Sequence, residues 1–237
     1  MQYLLRKKVV ITIILLVLSF SGWSQLTELN QADHDVRPYH FGINIGYNKS
    51  HFLFSHHPRF LQYDSIQTVE SINSAGINLA WLVNLKLGDH FDLRVHPLDL
   101  TFSEKAFVYT EKYIGTANIT EKKVAAILLS FPFDIAFSSD RIKNFKVYVL
   151  GGGKFDYDLA SNSGAQKAEE LIKLKKTDLS AEIGLGFHFY FPYFVLSPEL
   201  KLSTGIRNLH NRDENLRYSN VIDKISSKMI TFSFTVE

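Results

Sequence analysis

Charged and imidazole side chains recur at alternate positions of otherwise apolar segments: Arg94, His96, Asp134, Lys146, Lys154, Asp156, Asp158, Glu182, His188, Glu199 and Lys201. Gathered in one place, amines, carboxylates and imidazoles could serve general acid–base chemistry. On one face of a sheet the same set is a network in which each charge neutralises another, as buried charges require. The network is the expected reading. Gly151-Gly152-Gly153 precedes Lys154 but lacks the spacing of a phosphate loop and the Ser or Thr that follows its lysine. Inside a strand such glycines allow curvature and close approach of neighbours. His56-His57 has no further ligand at metal-binding spacing and reads as part of a solvated loop. A hydrolase nucleophile needs a base within reach, and Ser103 with His51 is only a loose pairing. No catalytic, cofactor-binding or metal-binding residue is therefore assigned, and no enzyme is expected.

Composition narrows the classes further. The 237 residues include no cysteine, which excludes disulfides, thiol catalysis and zinc sites of the cysteine type. Arg6, Lys7 and Lys8 precede an apolar run from Val9 to Leu18, and Gly22 and Ser24 fit a peptidase's −3 and −1 pockets. Residues 1–24 are expected to be a signal peptide cut before Gln25, because the run falls short of the ~20 residues of a spanning helix. Removing the leader takes away three of the 26 basic residues, leaving 23 against 24 acidic ones. No basic domain or arm remains to bind nucleic acid.

Aromatic residues make up 14% of a chain whose mean hydropathy is −0.03, so the aromatics belong to amphipathic elements. Period-two alternation supplies them. It runs through Tyr39–Ser50, Asn73–Leu87, Phe91–Phe102, Val124–Phe137, Phe145–Leu159, Asp178–Phe191, the strand around Leu196–Leu202, and Ile230–Val236. The third changes phase at Pro97, which marks a bulge. Connections after the second, fourth and sixth runs are short. Those after the others are long and polar: Ser50–Ile72, Glu104–Lys123, Ala160–Thr177 and Ile206–Lys224.

Even strand number with alternating short and long connections is the plan of a membrane barrel. The expected fold is all-β: an eight-stranded antiparallel up-and-down outer-membrane β-barrel over residues 39–237, with short periplasmic turns and longer outer loops. Trp81, Leu129, Phe131, Leu185, Phe187, Phe232 and Phe234 are expected to face lipid. Arg94, His96, Asp134, Lys154, Asp156, Glu182, His188, Glu199 and Lys201 should form the lumen charge network. Eight strands leave an interior just wide enough for side chains, so Gly152, Gly184 and Gly186 should make room for long neighbours, and no open pore is expected. Residues 25–38 are polar and aperiodic, which reads as a periplasmic N-terminal extension without structure until bound. Gly164–Lys176 reads as a short amphipathic helix within the third outer loop.

These residues resemble the PorT/SprT family of Bacteroidetes. The resemblance rests on Pro38-Tyr39-His40-Phe41-Gly42 with Asn48, Leu93–Phe102 around Pro97, Phe131-Pro132, Arg141-Ile142-Lys143-Asn144-Phe145, and Val149–Gly152 through Tyr157–Ser161. It covers nearly all of Tyr39–Glu237 and implies a non-enzymatic outer-membrane component of the type IX secretion system, which in gliding bacteria supports motility. It also implies as partners outer-membrane lipid, other type IX components and, during biogenesis, the barrel-assembly machinery. The chain ends Phe234-Thr235-Val236-Glu237 rather than on an aromatic, so recognition by that machinery would rest on Phe232 and Phe234. An outer-membrane lipid-modifying enzyme and a soluble ligand-binding periplasmic barrel are the alternatives.

Overall fold

The computed structural model describes residues 28–57, 66–111, 119–160, 174–211 and 222–237. The leader, and residues 164–173 of the expected helix, lie outside them. Nine strands follow in order: β1 (Tyr39–His56), β2 (Ile66–Ile72), β3 (Ser74–Lys86), β4 (Phe91–Glu111), β5 (Ile119–Ser138), β6 (Phe145–Asp158), β7 (Thr177–Tyr190), β8 (Val195–Gly205) and β9 (Ile222–Val236). β2 and β3 are two stretches of one wall, separated at Asn73, and both pair with β4. β1 pairs with β3 and β9, and β4 pairs with β5, so the sheet closes into an antiparallel barrel of eight walls.

The pleat places successive side chains on opposite faces, and here the usual sides are exchanged. In β3, Leu79 and Trp81 are exposed while Asn78 and Ala80 are buried; in β1, Ile43 and Ile45 are exposed beside buried Asn44. Buried residues include Arg94, Asp134 and Glu199, whereas the exposed set is dominated by Ile, Leu, Val and Phe. A belt of this extent far exceeds the few hundred Å² of apolar patch that a soluble monomer tolerates. A closed barrel in lipid satisfies both its ladder and its belt. Among the described residues no helix is long and apolar enough to cross a membrane; the strands do the crossing.

Proline lacks the N–H that a ladder requires, and the wall yields at Pro97. Register shifts flank it on both sides, between Trp81 and Val83 and between Val95 and Asp99. As a result His96 and Asp99 are both buried while Pro97 and Leu98 are exposed.

One end of the barrel is closed by tight turns. Leu87 and Gly88 donate to Phe91 O, Ile142 and Phe145 exchange two backbone bonds, and Phe191 donates to Phe194 O. Rings gather at this rim, with Phe91 against Phe137, Phe145 between Phe187 and Phe189, and Phe191 stacked on Phe194. Such girdles mark the interface of a membrane barrel.

At the opposite end the connections are shorter than expected. β1 runs to His56 and β2 occupies Ile66–Ile72, both within the expected loop Ser50–Ile72. The expected loop Glu104–Lys123 is also mostly strand, since β4 pairs with β5 as far as Thr110 and Ile119. Crossing takes ~9–11 residues, so the 21 residues of β4 and 20 of β5 continue past the lipid. There the ladder is held by backbone hydrogen bonds and no longer needs an apolar face. β9 likewise begins at Ile222, inside the expected loop Ile206–Lys224. Leu174, at the end of the expected helix, forms a bridge with His210 instead of a helical turn.

Candidate functional site

The lumen is organised around two lysines. Lys201 Nζ lies 3.1 Å from Asp134 Oδ2, 3.4 Å from Glu199 Oε1 and 3.7 Å from Glu182 Oε2. Lys154 Nζ lies 3.3 Å from Asp156 Oδ2 and 3.7 Å from Glu182 Oε1, so Glu182 joins the two centres. Arg94 Nη2 is 3.5 Å from Glu199 Oε2, and its guanidinium covers the Tyr148 ring at 4.7 Å. Tyr148 in turn donates to Glu199 Oε2 at 2.8 Å. His188 stacks on Tyr148 with its Nδ1 2.7 Å from Ser197 Oγ, and Ser130 donates to Asp156. His96 is buried, with Nδ1 making no hydrogen bond.

Three cations, Arg94, Lys154 and Lys201, thus meet four buried carboxylates, those of Asp134, Asp156, Glu182 and Glu199, while Asp99, also buried, accepts from Thr101. Sharing is what holds the set together, since breaking one partner of a buried pair leaves an uncompensated charge. Glycines create the seats. A Cβ at Gly186 would stand 2.2 Å from Tyr148 Cζ, one at Gly152 would stand 2.5 Å from Asp134 Oδ1, and one at Gly184 would stand 2.8 Å from Lys201 Cγ. The cavity beside this network, lined by Asn44, Asp99, Lys154 and Lys201, has a volume of about 20 Å³, room for about one water. The described lumen is filled rather than open.

Two residues expected inward stand apart from the network. Lys146 lies at the turn end, 3.8 Å from Asp35 Oδ1. Asp158 lies at the loop end, accepting from Ala160 N. Of the residues expected on the outer face, Trp81, Leu185, Phe232 and Phe234 are exposed, while Leu129, Phe131 and Phe187 are half-buried among neighbours. Ser103 Oγ is buried and makes no hydrogen bond among the described residues.

The N-terminal segment departs from the sequence reading. Residues 28–38 are folded against the turn end, with a 3-10 turn at His34–Val36. Arg141, in the β5–β6 turn, donates to Asp35 Oδ2 at 3.0 Å and to Gln31 O at 3.2 Å, and also to Asn30 O. Its guanidinium lies 3.6 Å over the Tyr190 ring, whose hydroxyl donates to Asp35 Oδ1 at 3.0 Å. Asn144 accepts from Asn30 N and donates to Glu28 O, both at 2.9 Å. Lys86 Nζ donates to Asp35 O. Burial acts to raise the Asp35 carboxyl, but the hydrogen bonds from Arg141 and Tyr190 and the charge of Lys146 outweigh it and hold Asp35 below its ordinary value.

The segment carries no periodicity because it makes no ladder; its partners are single residues at the barrel rim, Lys86 51 residues away and Arg141, Asn144 and Tyr190 more than 100 away. Sequence reasoning therefore missed Asp35, His34 and the rim residues that receive them. The one available signal was the run Arg141–Phe145, whose Arg and Asn are the anchoring side chains.

A closed antiparallel barrel with an apolar exterior, a charged interior and an aromatic rim defines the class of membrane-spanning β-barrels. Residues 23–211 match the family described as outer membrane protein beta-barrel domain, and the chain belongs to that family. Among curated proteins no relative matches it. Solved structures similar to it include Neisserial surface protein A, at 10% identity and TM-score 0.42 over 84% of this chain and 99% of that one. Another is Ail, the attachment invasion locus protein of Yersinia pestis, solved with a heparin analogue, at 12% identity and TM-score 0.39 over 83% and 96%. A third is the N-terminal β-barrel domain of Pseudomonas aeruginosa OprF, at 14% identity and TM-score 0.32 over 82% and 96%.

Proposed function

We propose that this barrel is a non-enzymatic, PorT/SprT-type component of the type IX secretion system, acting beside a separate conduit in the outer membrane. The filled lumen carries this reading: a barrel whose interior is bridged by Lys201 and Lys154 has no space for cargo, so its role lies in contacts made by its surfaces. The resemblance over Tyr39–Glu237 supplies the system. The leader 1–24 directs export, and the turn end with residues 25–38 faces the periplasm. The β4–β5 ladder stands on the outer side, where exposed segments meet other components of the machinery. The exposed apolar belt disfavours the soluble alternative.

Deleting the gene should retain type IX cargo inside the cell while leaving the general integrity of the outer membrane intact. Normal cargo in culture supernatants would overturn the reading, and loss of a lipid modification would favour the enzyme. Shortening 164–176 should impair export while heat-modifiable gel mobility shows the barrel still assembled. Glu182→Gln and Lys154→Met variants that insert should keep secretion, because the lumen charges serve folding.

A further inference from the structure

At the turn end three side chains converge from separately anchored segments. His40 sits on β1, in register with Asn84. Glu237 follows β9 and is fixed by two backbone bonds with Val195, at 2.9 and 3.0 Å. His34 belongs to the N-terminal 3-10 turn and donates its backbone N–H to Gln31 O at 3.0 Å. The imidazoles of His34 and His40 stack at 3.8 Å with an interplanar angle of 11°. One ligand atom from each of His34, His40 and Glu237 lies within 4.8 Å of the others.

The carboxylate is the informative member. Its side chain is 1% exposed, yet neither oxygen makes a hydrogen bond, and His34 Nε2 is also buried without one. The contact between His34 Nε2 and Glu237 Oε2 is 3.7 Å. Buried carboxylates are ordinarily satisfied, so two oxygens without a hydrogen bond beside two imidazoles indicate a ligand set. The backbone makes a place for it: a Cβ at Gly42 would stand 2.9 Å from Glu237 Cγ, so any larger residue there would displace the carboxylate.

We propose that His34, His40 and Glu237 bind a divalent transition-metal ion of the zinc class. Two imidazole nitrogens and one carboxylate are a recurrent three-ligand set for zinc, leaving a fourth position for water. With bonds of ~2.0–2.2 Å, tetrahedral ligands lie roughly 3.3–3.6 Å apart. The His34–Glu237 spacing of 3.7 Å is close to that, and the 3-10 turn that carries His34 lies outside the ladder and can close the remainder. The three residues line one cleft together with Arg37, Tyr39, Phe41, Pro192 and Tyr193. The bound ion ties the N-terminal segment to both strands of the β1–β9 seam, where the barrel closes.

Zn²⁺ and Co²⁺ titrations of the purified protein, made without a polyhistidine tag and stripped with chelator, test this. One ion per chain is expected, with ligand-field absorption from bound Co²⁺, and Zn²⁺ should protect residues 28–38 from proteolysis. His40→Ala and Glu237→Gln should weaken binding by more than the roughly 10–100-fold that loss of an outer-shell partner costs. His34→Ala leaves the ladder untouched, so it keeps the test decisive if a strand variant fails to fold. It should lose both affinity and Zn²⁺ protection, while a His56→Ala, His57→Ala double variant should keep both. Absence of stoichiometric binding in the wild type, or undiminished affinity in folded His34→Ala, would overturn the proposal.

Discussion

Arg141 Nη1 and Asp35 Oδ2 meet at 3.0 Å, joining a turn between two barrel strands to a segment that precedes the first strand. The pair is partly shielded, with side-chain exposures of 8% and 30%, and the Tyr190 ring and hydroxyl complete its surroundings. The barrel ladder does not depend on it.

Arg141→Ala should therefore release the N-terminal segment without unfolding the barrel. A charge-assisted bond at this partly exposed site contributes on the order of 1–2 kcal/mol. Limited proteolysis should cut within 28–38 several-fold faster than in the wild type, while heat-modifiable mobility stays unchanged. Equal cleavage rates would show that the segment is held by other contacts.

The exchanged sides of the sheet give a second expectation. Leu185 is 42% exposed on the face opposite Gly184 and Gly186. Leu185→Arg should cost ~2–4 kcal/mol if it lies near the bilayer midplane, as measured by equilibrium folding into lipid vesicles. A neutral Leu185→Arg together with a destabilising Leu185→Ser would mean that the apolar face is a dry core.

Gly186 and Tyr148 form a close-packed pair. Gly186→Ala should force the Tyr148 ring aside, because the new methyl would lie 2.2 Å from Cζ, and overpacking of this kind costs ~1–3 kcal/mol. Tyr148→Phe keeps the ring but removes the donor to Glu199, a loss of roughly 1.5–3 kcal/mol for a bond to a charged group. Urea titrations in vesicles compare the two. Their double variant should fall short of additivity, since both changes act on one contact.

Lys201 offers a test of the lumen network as a shared structure. Lys201→Met leaves Asp134, Glu182 and Glu199 without their common cation and should cost ~3–5 kcal/mol. Adding Asp134→Asn should recover part of that loss. Additive losses would show that Lys201 and Asp134 act independently despite their 3.1 Å separation.

Wall, inside and outside were legible in the sequence because strand geometry is local. A period of two is written into consecutive residues such as Leu179, Ala181, Ile183 and Leu185 against Ser180, Glu182, Gly184 and Gly186, and the pleat converts it directly into two faces. Pro97 was equally readable, because a missing N–H acts where it stands. Which charge meets which was not, since closure and stagger set the contacts: Lys201 and Asp134 are 67 residues apart. The ladder of β4 and β5 beyond the lipid was hidden for a related reason. Past the membrane a backbone-paired strand needs no apolar face, so Glu104–Lys123 shows no alternation to read. Least visible was the N-terminal segment. His34 and Asp35 find their places through single contacts with Glu237, Arg141 and Tyr190, groups that only the closed barrel brings to one rim.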